Sequence, residues 1–409
     1  MTTAAERAVP MQPAQAIEAE SIGLRYITDI ARAEKIWRSF EDKAVMTAYQ
    51  RFDFLAAWYR HIGRREEIAP MIIIGEINGE PAFLWPFGIS AQGPWRVARW
   101  LGGRHANYNL GLYDKAAMGS LDAEAMSALF ARVAGLAGGI DVFELMNQPE
   151  TWEGVDNPVA GLPHQPSPSF AYAMRLGADF ETVLAEKRSA KARKKIRHKE
   201  RRLAELEGYK CAMAETPAEA RRVLEVFAEQ KAARFAQMGI DNPFHEPGVM
   251  DFFHDLAARS MGVENPAFRL AYIEAEGEIQ ATFSGTTTRG RCSGSINSFA
   301  NNEIAKFSPG ESALMKLMAD ACERGCDSFD LGVGEAYYKD LWCDTTEPLF
   351  DCFVPITPAG HVYAQIKGLR QRVKRSIKQN PVAWGLVQRV RRARGAAAQQ
   401  PAEAPAQDD

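Results

Sequence analysis

Seven consecutive residues, Lys306-Phe307-Ser308-Pro309-Gly310-Glu311-Ser312, combine the features of a helix start that can hold an anion. Leu314, Leu317, Met318 and Ala321 recur at i, i+3, i+4 and i+7, so an amphipathic helix follows. Ser308 is expected as its N-cap, Pro309 as its first residue, and Glu311 as the partner of Ser308 in a capping box. Gly310 has no side chain to keep a ligand from the backbone amides, and Lys306 brings a positive charge. Exposed N–H groups at the positive end of a helix dipole favour phosphate.

A second group follows in DSFDLGVGEAYYKDLW, residues 327–342. Strand alternation puts Ser328, Asp330 and Gly332 on one face and Phe329 and Leu331 on the other. An aspartate inside a strand that otherwise reads as buried needs a partner, so an ion pair with a basic neighbour is the favoured role of Asp330. Glu335, Tyr338 and Lys339 come directly after the strand. His245, His254 and His361 stand isolated, and no Ser/His/Asp or Cys/His spacing is visible, so direct attack is favoured over a covalent intermediate. Of the six cysteines only Cys322 and Cys326 are close, with no second pair at metal-ligand spacing, so no metal is expected and reduced thiols are.

The elements that must position these groups occur twice. In the first half the order is a strand at 22–27, helical material to Phe40, a helix at 52–62, then PMIIIGEI, Asn78-Gly79 and EPAFLWPFGIS as a hairpin. A strand at RVARWL, a helix near 121–137 and the strand DVFELM follow, with a Pro- and Gly-rich connection at 147–169. The second half repeats the order. A long basic helix over about 178–207 leads to YKCAMA, an amphipathic helix, and a hairpin turning at Glu276-Gly277. The strand at 291–299, the Pro309 helix and the strand at 327–333 follow, and 350–356 is expected to close that second sheet. The offset stays near 190 residues, from Met71 to Arg269 and from Asp141 to Asp327. The expected fold is α/β, two domains of similar topology with mixed central sheets.

Charge is partitioned along the chain. Residues 187–202 hold ten Lys/Arg and one acid, residues 366–394 hold ten and none, and the rest keeps 29 basic and 51 acidic residues. An acidic body with two basic strips suits phosphates, nucleic acid or an anionic lipid surface. Pro381 is expected to break the second strip into two helices, with Trp384 as an interfacial anchor. The first 20 residues hold no continuous apolar stretch of the secretory type, and no run reaches bilayer-spanning length. A cytoplasmic protein, peripheral at the inner membrane through its basic segments, is the expectation.

The combination of F-S-P-G-E-S-A-L before a helix with D-S-F-D-L-G-V-G-E-A-Y-Y-K-D-L-W after it resembles the GNAT-type acyltransferases. The closer resemblance is to the FemAB-like branch and its CelD-like group of cellulose-biosynthesis acetyltransferases, to which YQRFDFLAAWYRHI and SAKARKKIRHKERRLAELEGY are also similar. The resemblance covers roughly residues 20 to 375. It implies two tandem GNAT-like domains: a disordered 1–20, a first domain at 21–175 without a donor site, a second at 176–358 with the acyl-CoA site, a basic helical extension at 359–395 and a disordered tail at 396–409. It implies acyl-CoA, acetyl-CoA above all, as co-substrate. Its pyrophosphate would lie on the Lys306–Ser312 segment and its arm between the strands 291–299 and 327–333. An amide at Ser298 or Phe299 would polarise the thioester, Asp330 or Glu335 would take the acceptor's proton, Tyr338 would protonate the leaving thiolate, and Lys339 would touch acceptor or phosphate. Fewer Gly and Arg stand in the phosphate loop than the ordinary GNAT pattern has.

The function expected is direct acyl transfer to an amine or hydroxyl of a small-molecule, glycan or lipid-linked acceptor, in envelope or exopolysaccharide (cellulose) biosynthesis. Two alternatives stay open. One is aminoacyl-tRNA-dependent transfer to a peptidoglycan precursor, in which the basic strips touch RNA. The other is a non-catalytic, membrane-associated scaffold.

Overall fold

The computed structural model describes residues 17–380 and 382–385. The expectations for 1–16, for Pro381 and for 386–409, including the last four arginines of the second basic strip, lie outside those residues. Residues 17–20, expected to be disordered, belong to the fold: the Ile17 amide donates to the Ser120 carbonyl at 3.1 Å.

The strands, in chain order, are β1 (Gly23–Ile27), β2 (Ala69–Ile77), β3 (Glu80–Gln92), β4 (Trp95–Trp100), β5 (Leu112–Tyr113), β6 (Val142–Pro149), β7 (Thr151–Trp152), β8 (Val155–Asp156), β9 (His164–Pro166) and β10 (Ala171–Arg175) in the first part of the chain. In the second they are β11 (Lys210–Met213), β12 (Phe268–Ala275), β13 (Glu278–Thr287), β14 (Arg291–Phe299), β15 (Ser328–Val333), β16 (Thr345–Glu347) and β17 (Leu349–Pro355). One sheet has the order β1-β2-β3-β4-β6-β17-β9 with β5 beside β3, and the other the order β11-β12-β13-β14-β15-β10-β16.

Position by position the two sheets match. Four antiparallel strands lead each one. The next strand, β6 or β15, runs parallel to its neighbour because a helix (Ala123–Leu136 or Pro309–Glu323) carries the chain back between them. Both hairpins turn on two residues in the left-handed region, Asn78 and Gly79 (φ +52° and +82°) and Glu276 and Gly277 (φ +55° and +74°). These are the paired positive φ values that match the twist of the flanking strands. Each hairpin also shifts register two residues before its turn, at Gly75/Glu76 and at Ile273/Glu274.

The halves exchange one strand each. β17, expected to close the second sheet, pairs with β6 and β9 in the first, while β10 pairs with β15 and β16 in the second. A boundary near residue 175 therefore does not separate the sheets. Alternation makes 350–356 a strand, but any sheet with an open edge satisfies alternation. The choice is made by the burial of Leu349, Phe350 and Cys352 in the core around the first sheet. That core holds Trp37, Trp85 and Phe130 and continues into Phe252 and Phe253 of the second half. The Arg51 guanidinium crosses the same junction to the carbonyls of Asn265, Pro266 and Thr287.

The basic helix expected over 178–207 is two helices, Phe180–Lys187 and Ala190–Ala204. Arg188 is extended, and Ser189 starts the second helix by accepting the Ala192 amide. This hydroxyl offers the backbone a cap inside what reads as one helical run. The second helix buries Ile196 and Leu203 and lies against the turn at Glu303–Phe307.

Candidate active site

β14 and β15 hold register for three residues, Arg291 with Ser328, Cys292 with Phe329 and Ser293 with Asp330, and then part. β14 runs on to Phe299 along β13 while β15 turns away at Gly332. That glycine has φ +72°, and an added Cβ there would lie 2.6 Å from the Asn107 side chain, so both backbone and space require it. Beside the gap lies a cavity of about 340 Å³ walled by the middle of β13, the end of β14, the start of the Pro309 helix, Tyr338 and Trp342. On β14 the Ile296 and Ala300 amides turn to β13, onto the Ser284 hydroxyl and the Gln280 carbonyl. Strand alternation then turns the Asn297 and Phe299 amides to the edge that β15 has left.

The helix start differs from the capping box expected. Ser308 sits in the left-handed region at φ +57° and makes no side-chain cap bond. The Glu311 and Ser312 amides turn to the Ser308 carbonyl at 3.0 and 3.3 Å, Pro309 has no N–H, and the Gly310 N–H is left without a partner. The Ser308 hydroxyl accepts Lys199 Nζ at 2.6 Å, and the Glu311 carboxylate meets Arg188 at 3.3 Å instead of returning to the cap. Arg188 also stacks 5.0 Å from the Trp342 ring centroid. Two cations of the first basic strip thus reach the mouth of the cavity. Sequence reasoning treated that strip separately and missed Lys199 and Arg188; the density of the Lys/Arg run was the available signal.

Of the residues expected at the site, Ser298, Phe299, Ser308, Pro309, Gly310, Glu311 and Tyr338 wall the cavity. Lys306, Phe307, Ser312, Asp330, Glu335 and Lys339 do not. Lys306 is exposed beside Glu303, and the Phe307 ring lies between Lys306 and Arg202. The Ser298 side chain is engaged by Gln230 at 2.6 Å and Thr282 at 2.9 Å. Burial raises the Tyr338 hydroxyl above its ordinary value, with Cys343 adding to the effect and Asn297 opposing it.

Asp330 is buried and accepts four hydrogen bonds, from Tyr108 Oη (2.7 Å), Arg291 Nε (2.7 Å), Ser293 Oγ (2.5 Å) and the Gly332 amide (3.0 Å). Arg291 extends the network to both Glu347 oxygens and lies over Trp152. Tyr108 and Trp152 come from the first half, so this is the ion-pair role, and it ties the halves together. Lys339 is also turned inward. Its ammonium bonds the Gly332 and Val333 carbonyls, both at 3.1 Å, and burial pushes it down to about 8. Glu335 is exposed just before the short Tyr337–Asp340 helix.

The first half shows what an occupied helix start looks like. Its matching helix, Ala123–Leu136, is capped by Asp122, whose carboxylate accepts the Ala125 amide at 2.9 Å. A carboxylate stands there where an anion would bind. β4 and β6 also part, after Arg99 and Glu144, and a larger cavity of about 650 Å³ opens beside them. Among the described residues no cluster of side chains suited to a metal ion is present, and all six cysteines are free thiols.

Residues 190–340 match the family described as Acetyltransferase (GNAT) domain. Among solved structures the chain is similar to FemX, at TM-score 0.58 and 11% identity over 84% of this chain and 99% of that one. It is also similar to a conserved protein of unknown function from Bacteroides thetaiotaomicron VPI-5482, at TM-score 0.51 and 12% identity over 81% and 99%. A likeness at TM-score 0.46 and 11% identity, over 84% and 97%, is found to L-PGS from Bacillus licheniformis. No curated protein matches the sequence. At such identities the structural likeness speaks for the fold, and the domain match speaks for the chemistry. The segment that builds the parted strands, the uncapped helix start and Tyr338 matches an acetyltransferase (GNAT) domain, and that match identifies the protein as an acyltransferase.

Proposed function

We propose that the protein transfers an acyl group directly from acyl-CoA to an amine or hydroxyl acceptor at the cavity beside the gap between β14 and β15. The observation that carries this reading is the uncapped helix start. The Gly310 N–H, the Ser308 hydroxyl, Lys199 and Arg188 converge where the Asp122 carboxylate stands in the first half. That donor set fits the pyrophosphate of coenzyme A. The pantetheine arm runs in the apolar gap toward Phe299, whose amide on the vacated strand edge accepts the developing oxyanion charge. Tyr338, kept protonated by burial, gives its proton to the departing thiolate. Glu335 is exposed and has no ion pair, so it is the carboxylate available to receive the acceptor's proton. Asp330 and Lys339 act on geometry, fixing the end of β15.

A thermal-shift titration with acetyl-CoA tests this, repeated on Gly310→Asp. The nearest atom to a Cβ added at Gly310 is 3.8 Å away, so the substitution is accommodated while its carboxylate occupies the anion position. A rise in melting temperature in the wild type that the variant lacks is expected. No rise with acetyl-CoA or longer acyl-CoAs overturns the reading.

One observation favours a second donor. Lys191, Lys194, Lys195 and Arg201 on the Ala190–Ala204 helix are exposed and unpaired, and Lys194 and Arg201 line an open groove together with Arg193 and Arg197. An aminoacyl group carried on RNA would use them, and its binding would fall steeply with salt. Work at an anionic membrane surface is compatible with either donor and rests on the two basic segments. An acceptor from envelope or exopolysaccharide (cellulose) assembly rests on the sequence resemblance alone.

A further inference from the structure

The helix Pro358–Gln379 presents an apolar stripe to solvent. Val362, Ile366, Leu369, Val373 and Ile377 are each 37–57% exposed. Their spacing of four, three, four and four residues keeps them within about an 80° arc of a helix turning 100° per residue. The stripe is about 22 Å long at 1.5 Å rise per residue.

The opposite face fixes the helix to the first half. Tyr363 is buried with its hydroxyl on Glu144 and Arg99, and Gly360 packs so closely on Asp141 that no larger residue fits. Further along, the Gly368 carbonyl accepts from Gln165 and Arg375 donates to the Ser167 carbonyl. The stripe is therefore held in place, facing outward on a rigid body.

Its flanks are cationic. Arg370 and Lys374 border one side and Arg372 the other, and none of the three has an ion pair. No Asp or Glu occurs between residues 352 and 402. Two copies meeting along the stripe would bring these cations against their own images, which opposes self-association. A layer of anionic headgroups over acyl chains complements both features, since the cationic side chains can reach the headgroups while the stripe enters the boundary below. No helix among the described residues is long and apolar enough to cross a bilayer, so this one would lie on it.

We propose that Pro358–Gln379 is an interfacial helix that docks the enzyme on an anionic bilayer through Val362, Ile366, Leu369, Val373 and Ile377. The proposal deepens the membrane setting given above and rests on that setting alone; it does not depend on the acyl donor. Vesicle binding is measured without any acyl-CoA, so its failure is separate from failure of the donor site.

The test is co-flotation of the full chain with phosphatidylcholine vesicles, with and without phosphatidylglycerol, at low and high salt. Binding to the anionic vesicles, weakened by salt, is expected. The Leu369→Asp, Val373→Asp double variant should bind about tenfold more weakly at an unchanged melting temperature, because both side chains are exposed. Replacing Arg370 and Arg372 by Glu should also weaken binding, by about fivefold per charge. Three results overturn the proposal. One is absence of vesicle binding by the wild type. Another is undiminished binding by the Asp double variant, with loss instead on Lys191→Glu, Lys194→Glu, Lys195→Glu. The third is a dimer in light scattering that the Asp substitutions dissociate, which would assign the stripe to a second copy.

Discussion

Lys199 donates its ammonium to the Ser308 hydroxyl at 2.6 Å, joining the first basic strip to the residue that opens the Pro309–Glu323 helix. A helix start normally satisfies its amides with an oxygen from its own cap. Here the cap oxygen is turned to a cation instead, and the place beside Gly310 has positive character from the dipole and from Lys199, while Arg188 offsets the Glu311 carboxylate. The first-half helix, with Asp122 in its cap, has the opposite arrangement.

This relationship predicts the effect of removing the ammonium. Lys199→Ala should weaken acetyl-CoA binding about tenfold, equivalent to about 1.4 kcal/mol, with little change in kcat. Calorimetric titration and steady-state kinetics read the two quantities. An unchanged dissociation constant would mean that the ammonium positions Ser308 without meeting the donor.

Tyr338 should divide binding from chemistry. Tyr338→Phe keeps the cavity wall and removes the proton, so kcat should fall about 10²-fold while acetyl-CoA affinity is retained. A loss of affinity with kcat intact would make Tyr338 a packing residue only.

The Asp330 network should appear in stability. Asp330→Asn leaves Arg291 without one buried partner and should cost about 3–5 kcal/mol. Tyr108→Phe, which removes one neutral donor to the same carboxylate, should cost about 1–2 kcal/mol. Urea unfolding of both variants tests the ranking. Equal effects would mean that the junction between the halves is held by the apolar core and not by this network.

A pH dependence follows from Glu41. Burial pushes its carboxyl up to about 7 from 4.5, against the pull of the Phe52 amide and Arg51. The folded protein then holds that proton more tightly than the unfolded chain. Its stabilising contribution is complete below pH 4.5 and is lost as pH rises through 7. Glu41→Gln keeps an acceptor for the Phe52 amide and removes the titration. Relative to the variant, the wild type should lose a few kcal/mol between pH 4.5 and 7, read as the difference between their unfolding free energies. Parallel curves would show that the carboxyl titrates alike in both states.

Much of the local structure was legible. Both hairpins could be placed, and the Asn78-Gly79 turn rests on a residue pair that tolerates positive φ. The apolar spacing after Pro309 identified that helix, and the buried aspartate in β15 announced its need for a partner. Where reading along the chain went astray, the competing choice was equally local. Ser308-x-x-Glu311 has the spacing of a capping box, but Glu311 found Arg188 and Ser308 found Lys199, partners more than 100 residues away. Lys339 resembled a residue free to touch substrate, yet its nearest oxygens are the carbonyls of β15.

By itself, the sequence left out the short strands β7, β8, β9 and β10 but determined the main helices and strands, the repeated order, the two basic strips and the segment that walls the cavity beside β14. These depend on periodicity, turn residues and charge, which are properties of neighbours in the chain. Tertiary structure alone decided the exchange of β10 and β17 between the sheets, the use of the first strip at the rim of the cavity, and which face of Pro358–Gln379 stays in water. Those outcomes depend on which open edge, anion site or apolar surface lies within reach after folding, and alternation or helical spacing is satisfied equally well by every candidate partner.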